Sequence, residues 1–435
     1  MNFTHLHVHS HYSVLDGMSK ISDLVDKCIR TGMPAIALTD HGNMYGIKEF
    51  LDYSKKANGQ LKAAAEEKGE TFTPFKPIVG IEAYCARRGR LMQDKDYKVT
   101  NGEGKTQVVD MSGWHLILLA KNKTGYQNLC RLTSLSFIDG FYRTARIDKE
   151  LLAECREGLI CSSACLGGEL PQKILSAIYS NTPFETDEER FAEAEATIEW
   201  FKNLFGEDYY IELQRHQTDK PHADQRTYQV QKMVNEVLVH LARKHNVKII
   251  ATNDVHFVEE EHAEAHDRLI CLSTNHFVDE EDRMHYTKQE WLKTPQEMSE
   301  IFADLPEAIS NTQEIVDKIE TYSIDSGPIM PKFPIPEDFG TEESYRNQFT
   351  EQDLFEEFTR DEHGNVVLSQ SDAEKKIKTL GGYDRLYRIK LEADYLRHLT
   401  YIGAYQRYGE TLTDEQEERI NFELHIMKTM GFPGY

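Results

Sequence analysis

At 435 residues the chain exceeds the usual single-domain size, so one large core with an appendage, or two domains, is expected. Forty per cent of residues are hydrophobic, no run reaches the ~20 apolar residues that span a bilayer, and seven irregularly spaced cysteines lack a CxxC pair; membrane partners and a disulfide framework are thereby excluded and a cytoplasmic protein is expected. A formal charge of −23 excludes a surface that binds nucleic acid all over, because phosphate contacts need Lys and Arg to displace counterions, so any such contact must be local.

The chain opens on Thr4-His5-Leu6-His7-Val8-His9-Ser10-His11. In an extended segment His7 and His9 point to one side, so two imidazoles can grip one ion. A helix follows, with Ile21, Leu24, Val25, Cys28 and Ile29 at helical spacing and Gly32 with Pro34 to stop it. Short apolar runs then recur. Residues 34–38 lead into Asp40 and His41, 77–81 lead into Glu82, and runs at 114–120, 158–165, 209–215 and 247–256 complete the series. Helical patterns fill the intervals, as in parallel βα units. No glycine-rich phosphate fingerprint follows the first strand, and most strands deliver a His, Asp, Glu or Cys near an end. The units are therefore expected to close into a barrel, slightly short of eight, rather than open into a doubly wound sheet.

Residues 87–110, polar and without periodicity, read as an exposed loop or hairpin. The stretch 327–336 is the most proline-rich in the chain and cannot be helix interior or central strand, so it marks a boundary. Beyond it lie charged helical patterns around 391–408 and 417–430, with a turn at 361–365.

Collected from the strands and their flanks, the candidate ligands are His7, His9, Asp16, His41, Glu82, His115, Cys165, Asp254 and His256. A mixed set this large exceeds the ligands of one zinc ion, so a cluster of two or three zinc-like or manganese-like ions is expected. Neighbouring metals activate a water and clamp phosphate oxygens. Each residue has a blander alternative: His115 or Cys165 alone would be a satisfied core residue, and Asp40 a helix cap beside a surface His41. Asp254 and His256 repeat the i, i+2 spacing of His7 and His9, and the gathering of histidines at strand ends favours metal. His5, His11 and His216 are held as supporting or surface residues.

His7-Val8-His9-Ser10, Thr39-Asp40-His41-Gly42-Asn43, Gly80-Ile81-Glu82-Ala83-Tyr84 and Asn253-Asp254-Val255-His256 together resemble the polymerase and histidinol phosphatase (PHP) domain. Tyr12-Ser13-Val14-Leu15-Asp16-Gly17, Gly140-Phe141-Tyr142 with Arg146-Ile147-Asp148, Cys165-Leu166-Gly167-Gly168-Glu169 and Leu305-Pro306-Glu307-Ala308-Ile309 look like the alpha subunits of C-family bacterial replicative polymerases. This likeness runs through most of 1–330 and returns at 430–435. It implies an α/β fold: a PHP-type (β/α)7 barrel over 1–285 with a trinuclear metal site, then a linker and the first part of an α+β palm over 286–435. Residues 342–385 match the family poorly and look like an insertion.

The resemblance maps the family's metal positions onto the nine side chains collected above. Asp16 stands where other PHP proteins use a His, and Cys165 where the phosphatases have one. The implied activity is a metal-dependent phosphodiesterase, a 3′ to 5′ exonuclease at a primer terminus, within a DNA-directed DNA polymerase. His7, His9, His41, Asp254 and His256 would carry the chemistry, with Arg143, Arg146 or Arg215 neutralising phosphate charge. Implied cofactors are two or three divalent ions, zinc, manganese or iron, with magnesium for the full-length polymerase. Implied partners are DNA and other replicase subunits, including a sliding clamp and a proofreading exonuclease. Two alternatives stand beside this reading. One is a phosphomonoesterase of the histidinol phosphatase type, disfavoured by the polymerase-like sequence past residue 300; the other is a metal-stabilised domain that docks a separate exonuclease. The family's polymerase carboxylates lie past the Gly-Phe-Pro-Gly-Tyr motif at 431–435, so the chain itself is not expected to polymerise DNA.

Overall fold

The computed structural model describes residues 2–100, 106–180, 184, 186–280, 282–327, 331–361 and 363–435. Two compact units emerge, Met1–Ile324 and Asp325–Tyr435.

In the first unit the apolar runs become strands: β1 (Ala35–Leu38), β2 (Lys76–Ala86), β3 (Lys98–Thr100), β4 (Thr106–Val108), β5 (Gly113–Ala120), β6 (Arg146–Ile147), β7 (Leu159–Ser162), β8 (Tyr209–Leu213) and β9 (Lys248–Ala251). The main sheet has the order β1-β2-β5-β7-β8-β9, with β6 on β2 and the β3-β4 hairpin apart. The N-terminal segment joins its two ends. Ala37 and Thr39 donate backbone hydrogen bonds to the carbonyls of His5 and Val8, while Val255 donates to His7 and His9 donates to Val255. The sheet thus curls into a barrel whose seam is the His-rich opening of the chain.

Alternation along the strands sorts the apolar residues into two layers. Ala35, Ala37, Ile78, Ile117, Leu119, Ile160, Tyr210 and Ile250 share one cluster with Ile315, Val316 and Ile319. Ile36, Leu38, Val79, Ile81, Leu116, Leu118 and Ile249 pack instead among the flanking helices. The helix Pro306–Lys318 therefore plugs the barrel, tied to it by Asn311 on the Ile249 carbonyl and by the Lys76 ammonium on the carbonyls of Val316 and Ile319. The compact unit thus runs to 324, past the 285 expected for the barrel, and ends close to the proline-rich stretch, of which 328–330 lie outside the described residues.

One strand departs from the parallel pattern. β5 pairs antiparallel with both β2 and β7. A parallel neighbour needs a crossover, usually a helix. The connection 87–110 supplies a hairpin instead, so the chain doubles straight back from Ala86 to Gly113, which pair in register. The consequence for the site is direct: the start of β5, with His115, lies at the same end as the C-terminal ends of the parallel strands.

The second unit holds helices Glu342–Gln348, Glu351–Thr359, Gln370–Thr379, Tyr383–Tyr408 and Asp414–Thr429, and among its described residues no strand, only a bridge between Arg360 and Val366. Capping boxes start three of the helices, at Thr341 with Ser344, Thr350 with Asp353 and Thr413 with Gln416. Tyr345, Leu354, Phe358, Ile377 and Leu380 build this unit's core together with Leu386, Tyr387, Ile389 and Leu391. The segment expected to be an insertion is thus integral to its unit. Among the described residues all seven cysteines are free, and no helix is long and apolar enough to cross a membrane.

Candidate metal centre

The nine predicted ligands converge at one mouth of the barrel, with Glu82 at the hub. Its strand continues β1 and β2 in parallel: His41 bridges Glu82, Glu82 N–H donates to the Asp40 carbonyl and Gly42 N–H to the Glu82 carbonyl. Glu82 Oε2 lies 2.6 Å from His41 Nδ1 and 3.3 Å from His9 Nε2. Its Oε1 lies 2.8 Å from His115 Nδ1, 3.3 Å from His7 Nε2 and 3.9 Å from Cys165 Sγ. Asp254 Oδ1 closes the other side, 3.1 Å from His7 Nε2 and 3.2 Å from His9 Nε2. Asp16 Oδ2 reaches His41 Nε2 at 3.0 Å and His256 Nε2 at 3.7 Å. Three overlapping triads, His9/His41/His256, His7/His9/Glu82 and His41/Glu82/His115, bring ligand atoms within 4.8 Å of one another and could each hold an ion.

Local backbone explains the aim of these groups. His7 and His9 face the mouth while Val8 between them packs into the core, as a period of two requires. Asp16 hangs on a turn in which its own N–H and that of Gly17 donate to the Ser13 carbonyl. Only glycine fits at 17, since a Cβ there would stand 2.2 Å from the Ser10 carbonyl oxygen. Asp254 differs from expectation. It lies past the end of β9 in the left-handed region, φ 47°, so it and His256 are not alternate residues of one strand. Asp tolerates that conformation better than most residues.

Residues not singled out from sequence fix the imidazoles. Glu212, buried, accepts from His7 Nδ1–H at 2.6 Å and is itself held by the hydroxyls of Ser162 and Thr252. Ser13 takes His9 Nδ1 at 3.0 Å and donates to Asp40, which also accepts from the Ser10 N–H and hydroxyl. Asp40 is therefore neither a cap nor a ligand; it pins the loop that carries Asp16. The Asp254 carbonyl lies 2.8 Å from His256 Nδ1, and the Tyr286 hydroxyl donates to Asp16 at 2.8 Å. Each bond leaves the second ring nitrogen of its histidine turned to the mouth. The signal for Glu212 was legible: a lone carboxylate inside the apolar strand β8.

The remaining candidates lie elsewhere. His5 is a core residue on the Lys293 carbonyl, its imidazole pushed down to about 3 by burial. His216 bonds the Asn253 carbonyl and Gln231, and His11 is exposed with Nδ1 3.3 Å from the Ser19 carbonyl. Of the three arginines, Arg146 is fully buried and its guanidinium donates to the carbonyls of Gly140, Asp110, Arg90 and Met92. Its charge anchors the 87–110 excursion and is not free for a phosphate. Arg215 is likewise spent, bidentate on Asp304 and donating to the Ile301 carbonyl. Arg143 alone stays exposed and uncommitted among the described residues.

The electrostatics describe a cation site. Burial works against ionising Asp16, Glu82 and Asp254, yet the facing imidazoles outweigh it and hold all three well below the usual carboxylate range. Burial also works against protonating His7, His41 and His256, and the carboxylates outweigh it in turn, raising His256 to about 9. His9 goes the other way, lowered by burial and then by its neighbours His41 and His256. Burial, Glu82 and Asp254 push the Cys165 thiol up. Without metal, protons must balance this negative cage, with a consequence for stability. Histidines whose folded pKa is raised stabilise the fold fully below ~6.5, and that contribution is lost as pH climbs through the folded value. Chelated protein should therefore melt at lower temperature at pH 9.5 than at pH 6.5, by on the order of 3 kcal/mol from His256 alone. Thermal melts across that range in chelator check it; a flat profile would contradict the assignment of His256.

Comparison with known proteins agrees with this geometry. Residues 5–216 match the PHP domain. The chain is 37% identical over 435 residues to a DNA polymerase III subunit alpha of Borreliella burgdorferi, covering 100% of this chain and 29% of that one. It is 34% identical to those of Campylobacter jejuni, over 434 residues, and Thermus aquaticus, over 459, covering 100% of this chain and 30% and 33% of theirs. The chain thus spans about three tenths of the length of the curated relatives it matches. An amidohydrolase structure from Chromobacterium violaceum overlaps at a TM-score of 0.27 and 12% identity, covering 58% of this chain and 87% of that one. The chain carries a PHP domain and, along its whole length, belongs with the N-terminal region of DNA polymerase III alpha subunits.

Proposed function

We propose that the first unit is a metal-dependent phosphodiesterase, a 3′ to 5′ exonuclease that trims a primer terminus as part of a replicative polymerase, with DNA and other replicase subunits as its partners. One observation carries the reading. His7 Nε2, His9 Nε2, His41 Nδ1, Glu82 Oε2 and Asp254 Oδ1 are all buried without a hydrogen-bond partner, and they face one another. Five orphaned polar atoms in one place would cost several kcal/mol unless something fills the space between them. Imidazole, carboxylate and thiolate together suit zinc, manganese or iron. His7, His9, His41, Glu82, Asp254 and His256, with Asp16, His115 and Cys165 at the edges, are the residues that would hold two or three such ions.

Divalent ions bound there supply Lewis acidity toward a phosphoester and lower the pKa of bound water. The chain's own part is positioning. Glu212 and Ser13 keep His7 and His9 in a single tautomer, and Tyr286 holds Asp16 in place, close beside His256. A cleft of about 900 Å³ is lined by Cys165, Asp254 and Tyr286 together with His276, His285 and Arg226. That space admits a nucleotide. The test is a 3′-labelled single strand incubated with the metal-replenished protein. Release of the labelled mononucleotide first is expected. Absence of cleavage with zinc, manganese and iron, from protein shown to hold metal, would overturn the nuclease reading in favour of a metal-stabilised docking domain; hydrolysis of histidinol phosphate alone would favour a phosphomonoesterase.

A further inference from the structure

On the rim of the barrel mouth, away from that cleft, three aromatic rings stand in a row in water. Tyr45, Phe137 and Phe141 are 60%, 39% and 53% exposed. Tyr45 and Phe137 have ring centroids 6.2 Å apart, and Phe137 and Phe141 are likewise 6.2 Å apart with planes only 19° from parallel. Large aromatics are normally covered, and an exposed row of them marks a binding surface.

The row is tied to the metal centre by short links. Tyr45 follows His41 by four residues, and between them Asn43 fastens the loop to the carbonyls of Tyr12 and His41. At the other end, the segment carrying Phe141 runs into β6, where Arg146 pairs with Tyr84. Tyr84 in turn lies two residues from Glu82, its ring near-parallel to His41 at 6.1 Å. Just past Phe141, Arg143 sits at a turn tip with φ 68°, exposed, and without a hydrogen bond or ion pair among the described residues. In a chain of charge −23 with most arginines engaged, a free cation at the end of an aromatic row is a specific feature.

We propose that Tyr45, Phe137 and Phe141, ending at Arg143, form a stacking platform for single-stranded nucleic acid that leads its terminus to the metal centre, an inference that rests on the phosphodiesterase reading. Stacked bases cover the rings irrespective of sequence, and Arg143 meets a phosphate of the same strand. The small scale of the platform reconciles nucleic-acid contact with the acidic surface: a few rings and one cation, not a basic groove.

Binding can be read without hydrolysis. Fluorescence anisotropy of a labelled oligothymidine about twelve nucleotides long is measured on the whole chain in EDTA. Phe137→Ala and Phe141→Ala should each weaken binding about tenfold, and Arg143→Ala should reduce the salt dependence by about one phosphate contact. An abasic strand of the same length, which keeps the phosphates and loses the bases, should bind as poorly as the ring variants. Melting temperatures equal to the unmodified chain show that the variants fold. Unchanged anisotropy with the unmodified protein, undiminished binding by folded ring variants, or equal binding of the abasic strand would each overturn the platform and leave a protein partner as the occupant of the row. If no metal supports cleavage yet the ring variants still weaken binding, the platform stands and the phosphodiesterase reading falls.

Discussion

His9→Ala and Asp254→Ala should each lose bound metal, nuclease activity and thermal stability together. His9 Nε2 faces both Glu82 and Asp254, so its removal opens the middle of the cage, and Asp254, like Glu82, faces both His7 and His9. A metal that binds only the folded chain stabilises it by about 2.7 kcal/mol at a hundred times its dissociation constant, and that stabilisation goes with the ligand. On the proposed phosphodiesterase reading activity should fall below detection, because His9 and Asp254 are among the residues that would hold the ions, whose contribution there would be to activate water. Glu212→Gln makes the graded comparison: it keeps the volume, removes the charge that faces His7 and leaves one oxygen where the Ser162 and Thr252 hydroxyls now meet two, so a loss of about 10- to 100-fold in metal affinity or activity is expected with the fold intact. Metal analysis, single-strand digestion and melting of the three variants decide the matter. Metal content and melting temperature unchanged in both ligand variants would remove His9 and Asp254 from the site.

The sequence showed where chemistry would sit more fully than how the chain would get there. Six of the seven strands of the main sheet were legible as short apolar runs, because a strand buried on both faces is apolar throughout and ends abruptly at its first polar residue; β6, two residues long, was not, and the His-rich run at 4–10 closes the sheet without being one of its strands. His41, reached just past the end of β1, followed from the same rule, whereas Asp16 on a turn and His115 at the start of an antiparallel strand did not. Strand direction was not legible. Whether β5 runs with or against β2 depends on the geometry of the 87–110 connection, and a polar stretch looks alike as crossover or hairpin. That the compact unit runs on to 324 was not legible for a related reason: the helix Pro306–Lys318 carries an ordinary amphipathic pattern, and nothing in that pattern says that Ile315 and Val316 pack inside a barrel whose strands run from Ala35 to Ala251. Glu212 stood out as a lone carboxylate in an apolar strand, whereas Ser13 and Asp40 have no spacing of their own and show their supporting role only once His9 and Asp16 are placed.

Arg146→Met should destabilise the first unit severely while leaving the nine-residue cage its ligands. The side chain is fully buried with no carboxylate on its guanidinium; instead it donates to the carbonyls of Gly140, Asp110, Arg90 and Met92, drawing together the excursion after β2 and the loop before β6. Burial lowers its pKa, yet arginine stays charged, so the cation is held chiefly by carbonyl dipoles, with the Tyr142 ring 5.6 Å away. Methionine fills most of the volume and supplies no donor, leaving the buried bonds to the Gly140 and Asp110 carbonyls and the part-buried ones to Arg90 and Met92 unmade. At about 1–3 kcal/mol for each that water cannot reach, a net loss of about 3–5 kcal/mol follows, or roughly 10 °C in melting temperature. The loss should appear first as hydrogen exchange and proteolysis around Arg90, Met92 and Asp110, because those carbonyls lose the guanidinium that joins them while the Arg90–Asp148 pair remains, with metal content retained at temperatures below the melt. A phosphate-binding arginine would behave oppositely: its removal would leave stability untouched and raise KM for the strand. The two outcomes cannot be confused, and a stable Arg146→Met with a raised KM would return the residue to the substrate's side.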